Sequence, residues 1–297
     1  MIEVLDARPS MTSAIAALRS ALADGLDPAA DPARAVVPVP SGQFLLMPAF
    51  WGDYAGVKVA TVAPDNPARG RPRIQGEYLL LDGPTLTPLA VLDGVALTSI
   101  RTAAVSAVAV DALAPADASR LVVFGTGPQA ASHVEALRAV RPVEEVVVVG
   151  RSSAESFAAA CGGRVGTPAD VASADLVACC TTASSPLFDG SLVADGAVVV
   201  AVGSHEPHVR EVDSALAGRS AVVVEAVATA LREAGDVALA VSDGALAPDA
   251  LLPLADVVRG SASVPRSGPR LFKSVGMAWE DLVVAATTYQ AARGEPR

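Results

Sequence analysis

The stretch Leu121–Ala131 reads LVVFGTGPQAA, a short apolar run that breaks into Gly125-Thr126-Gly127-Pro128-Gln129-Ala130 and continues with helical spacing to Val140. A strand, a G-x-G-x-x-A turn and a helix in that order predict the phosphate-binding loop of a dinucleotide fold. Gly125 permits the tight turn. Gly127 lets the backbone approach a pyrophosphate, and the small Ala130 lets helix and strand pack closely. The helix N-terminus then presents N–H groups and a positive dipole end to the phosphates. Downstream, Glu145–Val149, Leu176–Cys179, Ala197–Val202 and Ala221–Val224 are short apolar strands separated by helical segments. Such alternation predicts a parallel sheet covered on both faces.

The second of these strands ends in Gly150-Arg151-Ser152-Ser153. A site for NAD places an acidic residue there to hold the ribose 2′-hydroxyl. Arginine flanked by hydroxyls suits a 2′-phosphate, so NADPH is the expected cofactor, with NADH as the alternative. Thr181, Val202 and Ser204 follow later strands, where ligands sit in open parallel sheets, and join the expected cofactor site. Cys179 and Cys180 are read as small apolar packing residues.

Outside this region the chain changes style. Met11–Asp24 has the spacing of an amphipathic helix. Ala35–Val39, Phe44–Met47, Gly56–Ala63, Glu77–Leu81 and Leu89–Leu92 are Pro- and Gly-punctuated runs that predict a mainly antiparallel sheet. Thr98–Leu113 predicts a helix capped by Thr98 or Ser99. Leu271–Gly276 (LFKSVG) reads as a loop, and Trp279–Ala292 as a final helix. The expected architecture is α/β: a Rossmann dinucleotide-binding domain over 114–269, inserted into an α+β substrate and dimerisation domain built from 1–113 and 270–297.

Composition bounds the function. The 297 residues are 52% hydrophobic and 18% charged, which excludes a disordered chain. A net charge of −10 disfavours nucleic acid as a partner. Three cysteines form no disulfide framework, and no His/Cys/carboxylate spacing suggests a metal. No uncharged apolar run reaches the roughly 18 residues of a spanning helix, and the N-terminus lacks a signal pattern. The expectation is a cytoplasmic protein with no membrane partner. Only two lysines occur, Lys58 and Lys273; the other twenty basic residues are arginine. Where lysine persists, a group able to lose its proton is the natural reason. Lys58 lies on an apolar strand, where it either snorkels to solvent or points into a cleft. Arg101, read at a helix start, invites an anion to offset the unfavourable dipole. Arg34 precedes a strand. His133 and His208 are read as surface residues, and Lys273 as a residue of the domain junction.

Taken together, GVKVATVAPDNP, LTPLAVLDGVALTSIRTAAVSAVAVDALA, VVFGTGPQAASHVEAL, EVDSAL, EAGD and LFKSVGMAWEDL resemble the ornithine cyclodeaminase/mu-crystallin family, in order from about Arg34 to Ala292. The resemblance implies a dimeric NAD(P)H-dependent oxidoreductase acting on a small imino or amino acid. Arg34, Lys58 and Arg101 match the family's ligands for the substrate carboxylate. Arg101 and Thr102 match positions near the nicotinamide ribose and phosphates, and Gly276 closes the cofactor site in the FKSVG motif. One departure is chemical. The family's cyclodeaminases carry an aspartate two residues before a proline; in Gly203-Ser204-His205-Glu206-Pro207 that position is His205. Its loss argues against ornithine cyclisation. His205 is either a proton relay or an exposed loop histidine.

A ketimine reductase acting on Δ1-pyrroline-2-carboxylate or its six-membered analogue is therefore the expected activity. An alanine-type dehydrogenase, a cyclodeaminase and a non-enzymatic NADPH-binding protein are the alternatives. Lys58 is the first candidate proton donor, or the residue that orders a donating water, its pKa depressed by two nearby arginines, and His205 the second. Met47, Phe50, Trp51 and Gln75 are the expected pocket lining.

Overall fold

The computed structural model describes residues 3–5 and 9–294, which divide into two compact units. Met1–Arg101 with Met277–Arg297 form one; Thr102–Gly276 form the other.

The first unit is a six-stranded sheet: β1 (Glu3–Leu5), β2 (Ala35–Val39), β3 (Gly42–Trp51), β4 (Tyr54–Val62), β5 (Ile74–Asp82) and β6 (Pro88–Asp93), in the order β1-β6-β5-β4-β3-β2. All pairings are antiparallel except β1 with β6. Period-two alternation decides its faces. Met47, Lys58, Tyr78 and Leu92 are cross-strand partners and all are buried. The C-terminal helix Ala278–Arg293 packs on β3, β4 and β5, and the helix Met11–Ala23 packs on that helix in turn. The C-terminal helix is buried almost all round, Ala278 through Ala286 without a break.

In the second unit eight parallel strands follow: β7 (Arg120–Phe124), β8 (Glu145–Val149), β9 (Arg164–Val165), β10 (Leu176–Cys179), β11 (Val198–Ala201), β12 (Ala221–Val224), β13 (Leu252–Pro253) and β14 (Arg270–Lys273). Their order is β13-β12-β14-β11-β10-β7-β8-β9. Strands β10, β11 and β12 are buried at every residue, as two-sided helix cover requires. The order reverses between β7 and β10, the switch point at which such sheets bind ligands. This is the α/β, Rossmann-type architecture expected.

Three local expectations are corrected. Residues 271–276 are not a loop: Arg270–Lys273 is a strand inserted between β11 and β12, so this stretch belongs to the parallel sheet rather than to the other unit. The helix expected from Thr98 spans Gly94–Leu113. Asp93 Oδ1 caps it by accepting from the N–H groups of Val95 and Ala96. Thr98 and Ser99 instead turn back onto the carbonyls of Gly94 and Val95. Arg101 is thus two turns inside the helix, beyond the reach of its dipole. By length and composition this helix could also cross a membrane, the one such helix among the described residues; 67% of its most apolar window is buried within the protein. The division into units falls inside it, between Arg101 and Thr102, rather than after residue 113.

Candidate functional site

At the end of β7, Gly125 takes φ +107°, and its N–H donates to the Val149 carbonyl at 2.9 Å. A Cβ there would lie 2.5 Å from the Cys180 carbonyl oxygen, so glycine is required for the close approach of the β7 and β10 loops. Gly127 is the N-cap of the helix Pro128–Val140, with Pro128 at its first position and no side-chain cap. A Cβ on Gly127 would meet nothing within 4 Å. Ala130 is wholly buried against the sheet. An uncapped helix start beside open space has the shape and the donors for a pyrophosphate. The Thr126 hydroxyl donates to the Ser152 carbonyl at 3.1 Å, tying this loop to the Gly150-Arg151-Ser152 turn. Arg151 and Ser152 are exposed there, and Arg151 makes no ion pair among the described residues.

Beyond β10, β11 and β14 the loops are bound together by buried charges. Glu211 Oε1 accepts from both the N–H and the hydroxyl of Thr181, at 2.7 and 2.8 Å. Its Oε2 accepts from the Gly203 N–H at 2.7 Å. Asp236 Oδ1 accepts from the N–H groups of Glu211 and Val212. Asp236 Oδ2 pairs with Lys273 Nζ at 2.8 Å, and Lys273 donates to the Ser204 carbonyl at 2.6 Å. Glu211, Asp236, Lys273 and Ser204 are all buried. Burial, countered by Lys273 and the Thr181 donors, raises the Glu211 carboxyl above its ordinary value. Lys273 is thus a fixture of one unit's core, its charge answered by Asp236, and the junction role read from sequence is corrected. Gly276, at φ +72°, closes the strand exit with its N–H on the Ser274 hydroxyl.

The first unit holds a second charged group. Lys58 Nζ donates to Asp281 Oδ2 at 2.7 Å and to Thr98 Oγ1 at 3.2 Å. Arg101 Nη1 donates to Glu280 Oε2 at 2.7 Å, and its Nε stands 3.3 Å from Asp281 Oδ1. Lys58, Arg101, Glu280 and Asp281 are buried. Burial is the main cause that lowers the Lys58 pKa to about 8; Arg101 adds to it and Asp281 opposes it. The direction expected from sequence stands, but the cause is burial and one arginine, not two arginines. A buried amine near pKa 8 can hold an anion and give up a proton near neutral pH.

The remaining candidates lie on other segments. Arg34 is half-buried just before β2, and His205 lies exposed in the loop after β11. Thr102 is buried, and its carbonyl accepts from Ser106. Val202 is half-buried at the end of β11. Met47 shares the Lys58 face, whereas Phe50 pairs with Ala55 and Gln75 with Thr61 on the opposite face. Phe50 and Gln75 therefore do not line a pocket around Lys58, because alternate residues of a strand face opposite ways. His133 is not at the surface but wholly buried, with Nδ1 on the Gln129 carbonyl and Nε2 on the Ser106 hydroxyl. Burial lowers its pKa to about 4, so it is neutral at pH 7. Cys179 is buried, and burial raises both neighbouring thiols, which fits packing rather than reactivity. The sequence reading gives no role to Glu211, Asp236, Glu280 and Asp281, although EVDSAL, EAGD and LFKSVGMAWEDL are among the motifs that carry the resemblance; Glu280 and Asp281 stand out as carboxylates in an otherwise apolar helix.

Comparison with known proteins gives a consistent result. The family model for the ornithine cyclodeaminase/mu-crystallin family matches residues 4–295. The chain is 38% identical over 251 residues to a Δ1-pyrroline-2-carboxylate reductase of Bacillus cereus, covering 80% of this chain and 77% of the relative. A Thermococcus litoralis Δ1-pyrroline-2-carboxylate reductase, solved with NADH and L-proline, superposes with a TM-score of 0.90 at 28% identity, covering 99% and 98% of the two chains. An archaeal alanine dehydrogenase dimer with bound NAD gives 0.92 at 27% identity, over 99% and 96%.

Proposed function

The chain belongs to the ornithine cyclodeaminase/mu-crystallin family, and from that premise we propose that it reduces small cyclic α-imino acids such as Δ1-pyrroline-2-carboxylate with NADPH. The observation that carries this reading is the buried Lys58–Asp281 and Arg101–Glu280 cluster: two cations fixed in place on the unit that, in this proposal, binds substrate. A bound dinucleotide would supply the hydride for the imine carbon. Gly125 to Ala130 would receive its pyrophosphate, and Thr181, Val202, Ser204 and Gly276 would complete the cofactor site. Lys58, Arg101 and Arg34 hold the substrate carboxylate, the arginines with fork geometry. Lys58 delivers the proton to the imine nitrogen. His205, where cyclodeaminases carry aspartate, is an exposed loop residue in this structure, which supports reduction over cyclodeamination.

The alanine-type reading is kept because the archaeal dehydrogenase covers nearly the whole chain. Absorbance at 340 nm separates the two. Turnover of NADPH with Δ1-pyrroline-2-carboxylate is expected; turnover confined to pyruvate plus ammonia would transfer the protein to the dehydrogenases.

Cofactor choice rests on Arg151. An exposed guanidinium with no ion-pair partner among the described residues is free to meet a 2′-phosphate, and charge-assisted bonds contribute about 1.5–3 kcal/mol. Arg151→Ala should raise the KM for NADPH about 10- to 100-fold and leave that for NADH unchanged. Equal changes for both cofactors would refute the assignment.

We also propose a homodimer through the first unit. Val4, Val37, Phe44, Phe50 and Val59 are exposed and share the outer face of the six-stranded sheet, Phe50 at 70%. An exposed apolar sheet face of this kind is a typical association surface. Sedimentation velocity should give twice the 29.8 kDa chain mass, and Phe50→Asp should return it to one.

A further inference from the structure

Lys58 has a cross-strand neighbour whose chemistry the reaction above leaves unused. Met47, Lys58 and Tyr78 stand in one row across β3, β4 and β5, so their side chains leave the same face of the sheet. Tyr78 is wholly buried, and its hydroxyl makes no hydrogen bond among the described residues. The ring leans diagonally over Gly56: a Cβ on that glycine would lie 2.3 Å from the Tyr78 oxygen. Glycine and phenol are therefore a matched pair, the one leaving the space the other fills. Asp281 Oδ1, the oxygen facing Arg101 Nε, also accepts no hydrogen bond among the described residues.

A buried hydroxyl without a partner is costly, and phenylalanine would fill the same volume without that cost. The unmet donor calls for a partner that the described residues do not supply. Burial, with Asp281 and Asp31 as lesser causes, holds the phenol well above its ordinary range, so it remains a neutral donor. A neutral O–H makes its strongest bonds to anionic oxygen. We propose that Tyr78 is a substrate-binding residue whose hydroxyl donates to the carboxylate of the α-imino acid, beside Lys58. This rests on the imino-acid reading given above.

The test is Tyr78→Phe, which keeps the ring and removes one oxygen. Calorimetry would measure binding of pyrrole-2-carboxylate, a planar carboxylate that cannot be reduced, to the full chain saturated with NADP+. Binding about tenfold weaker in the variant is expected. The affinity for NADP+ should not change, and the melting temperature without ligand should be equal or higher. Equal carboxylate affinity in both proteins would overturn the proposal and leave the hydroxyl to an ordered water. So would absence of pyrrole-2-carboxylate binding to the unaltered protein. Failure of the broader reading shows elsewhere, as no turnover of Δ1-pyrroline-2-carboxylate. The affinity ratio would then still identify Tyr78 as a carboxylate ligand.

Discussion

Replacing Lys58 by methionine is expected to lower kcat for imine reduction by about 10²- to 10⁴-fold, the range lost with a general acid. Methionine fills much of the same volume and carries no proton. Asp281 keeps Arg101 as a counter-charge, so the fold should survive. The pH dependence gives a second reading of the same residue. With a pKa of about 8, Lys58 is mostly protonated at pH 7 and deprotonates as pH rises. A reaction that needs its proton must lose rate as pH rises through about 8, and gain nothing below that point from this group. Lys58→Arg separates binding from proton transfer. Arginine retains the charge but does not release a proton in this range, so KM should be largely kept while kcat falls. A Lys58→Met enzyme with near-normal kcat would remove lysine from the chemistry.

Lys273→Met carries the largest expected cost to stability. It leaves Asp236 Oδ2 wholly buried without its cation, and breaking a buried pair from one side costs about 3–5 kcal/mol. For a chain of this size that corresponds to a melting temperature lower by about 10 °C. The Ser204 carbonyl loses its donor as well, so the affinity for NADPH should fall with it. Asp236→Asn combined with Lys273→Met removes both charges and should recover most of the stability. Calorimetric melting of the two variants decides the matter. A single variant that melts with the unaltered protein would show that the pair is not needed to hold these loops.

What could be read from sequence follows from the range of each interaction. The glycine loop, the strands β7, β8, β10, β11 and β12 of the second unit and the antiparallel runs of the first unit are specified by residues within a few positions of one another, and they lie where pattern and turn chemistry put them; the two-residue β9 is too short to show a pattern. The partners of Lys58 and Arg101 are 223 and 179 residues away, on the C-terminal helix. Nothing in GVKV or SIRT points to them. In isolation Glu280 and Asp281 resemble an ordinary acidic first turn, favoured by the helix dipole. Only the buried sequence around them, AWEDLVVAA, distinguishes them from a solvated pair. The helix carrying Arg101 was legible, but its start was not. Asp93 and Gly94 ended a strand pattern and concealed a cap. The strand at Arg270–Lys273 escaped because four residues with basic ends show neither period clearly, and its neighbours in the sheet lie about fifty and seventy positions earlier.

That strand also constrains the order in which the protein can assemble. β14 is the last strand in sequence among the described residues, yet it lies between β11 and β12. Until residue 273 is available those two strands have no hydrogen-bonded contact with one another, and β12 and β13 form a separate fragment. The first unit waits on the same end of the chain, because the helix Ala278–Arg293 covers its inner sheet face and supplies Glu280 and Asp281. Both cores therefore close late, through contacts of long sequence separation, which makes folding slow and leaves apolar strand edges open in the meantime. A growing chain on the ribosome would hold two unfinished sheets until residues 270–293 emerged. Truncations that remove residues 270–293 should thus be recovered as aggregates, not as a smaller folded protein.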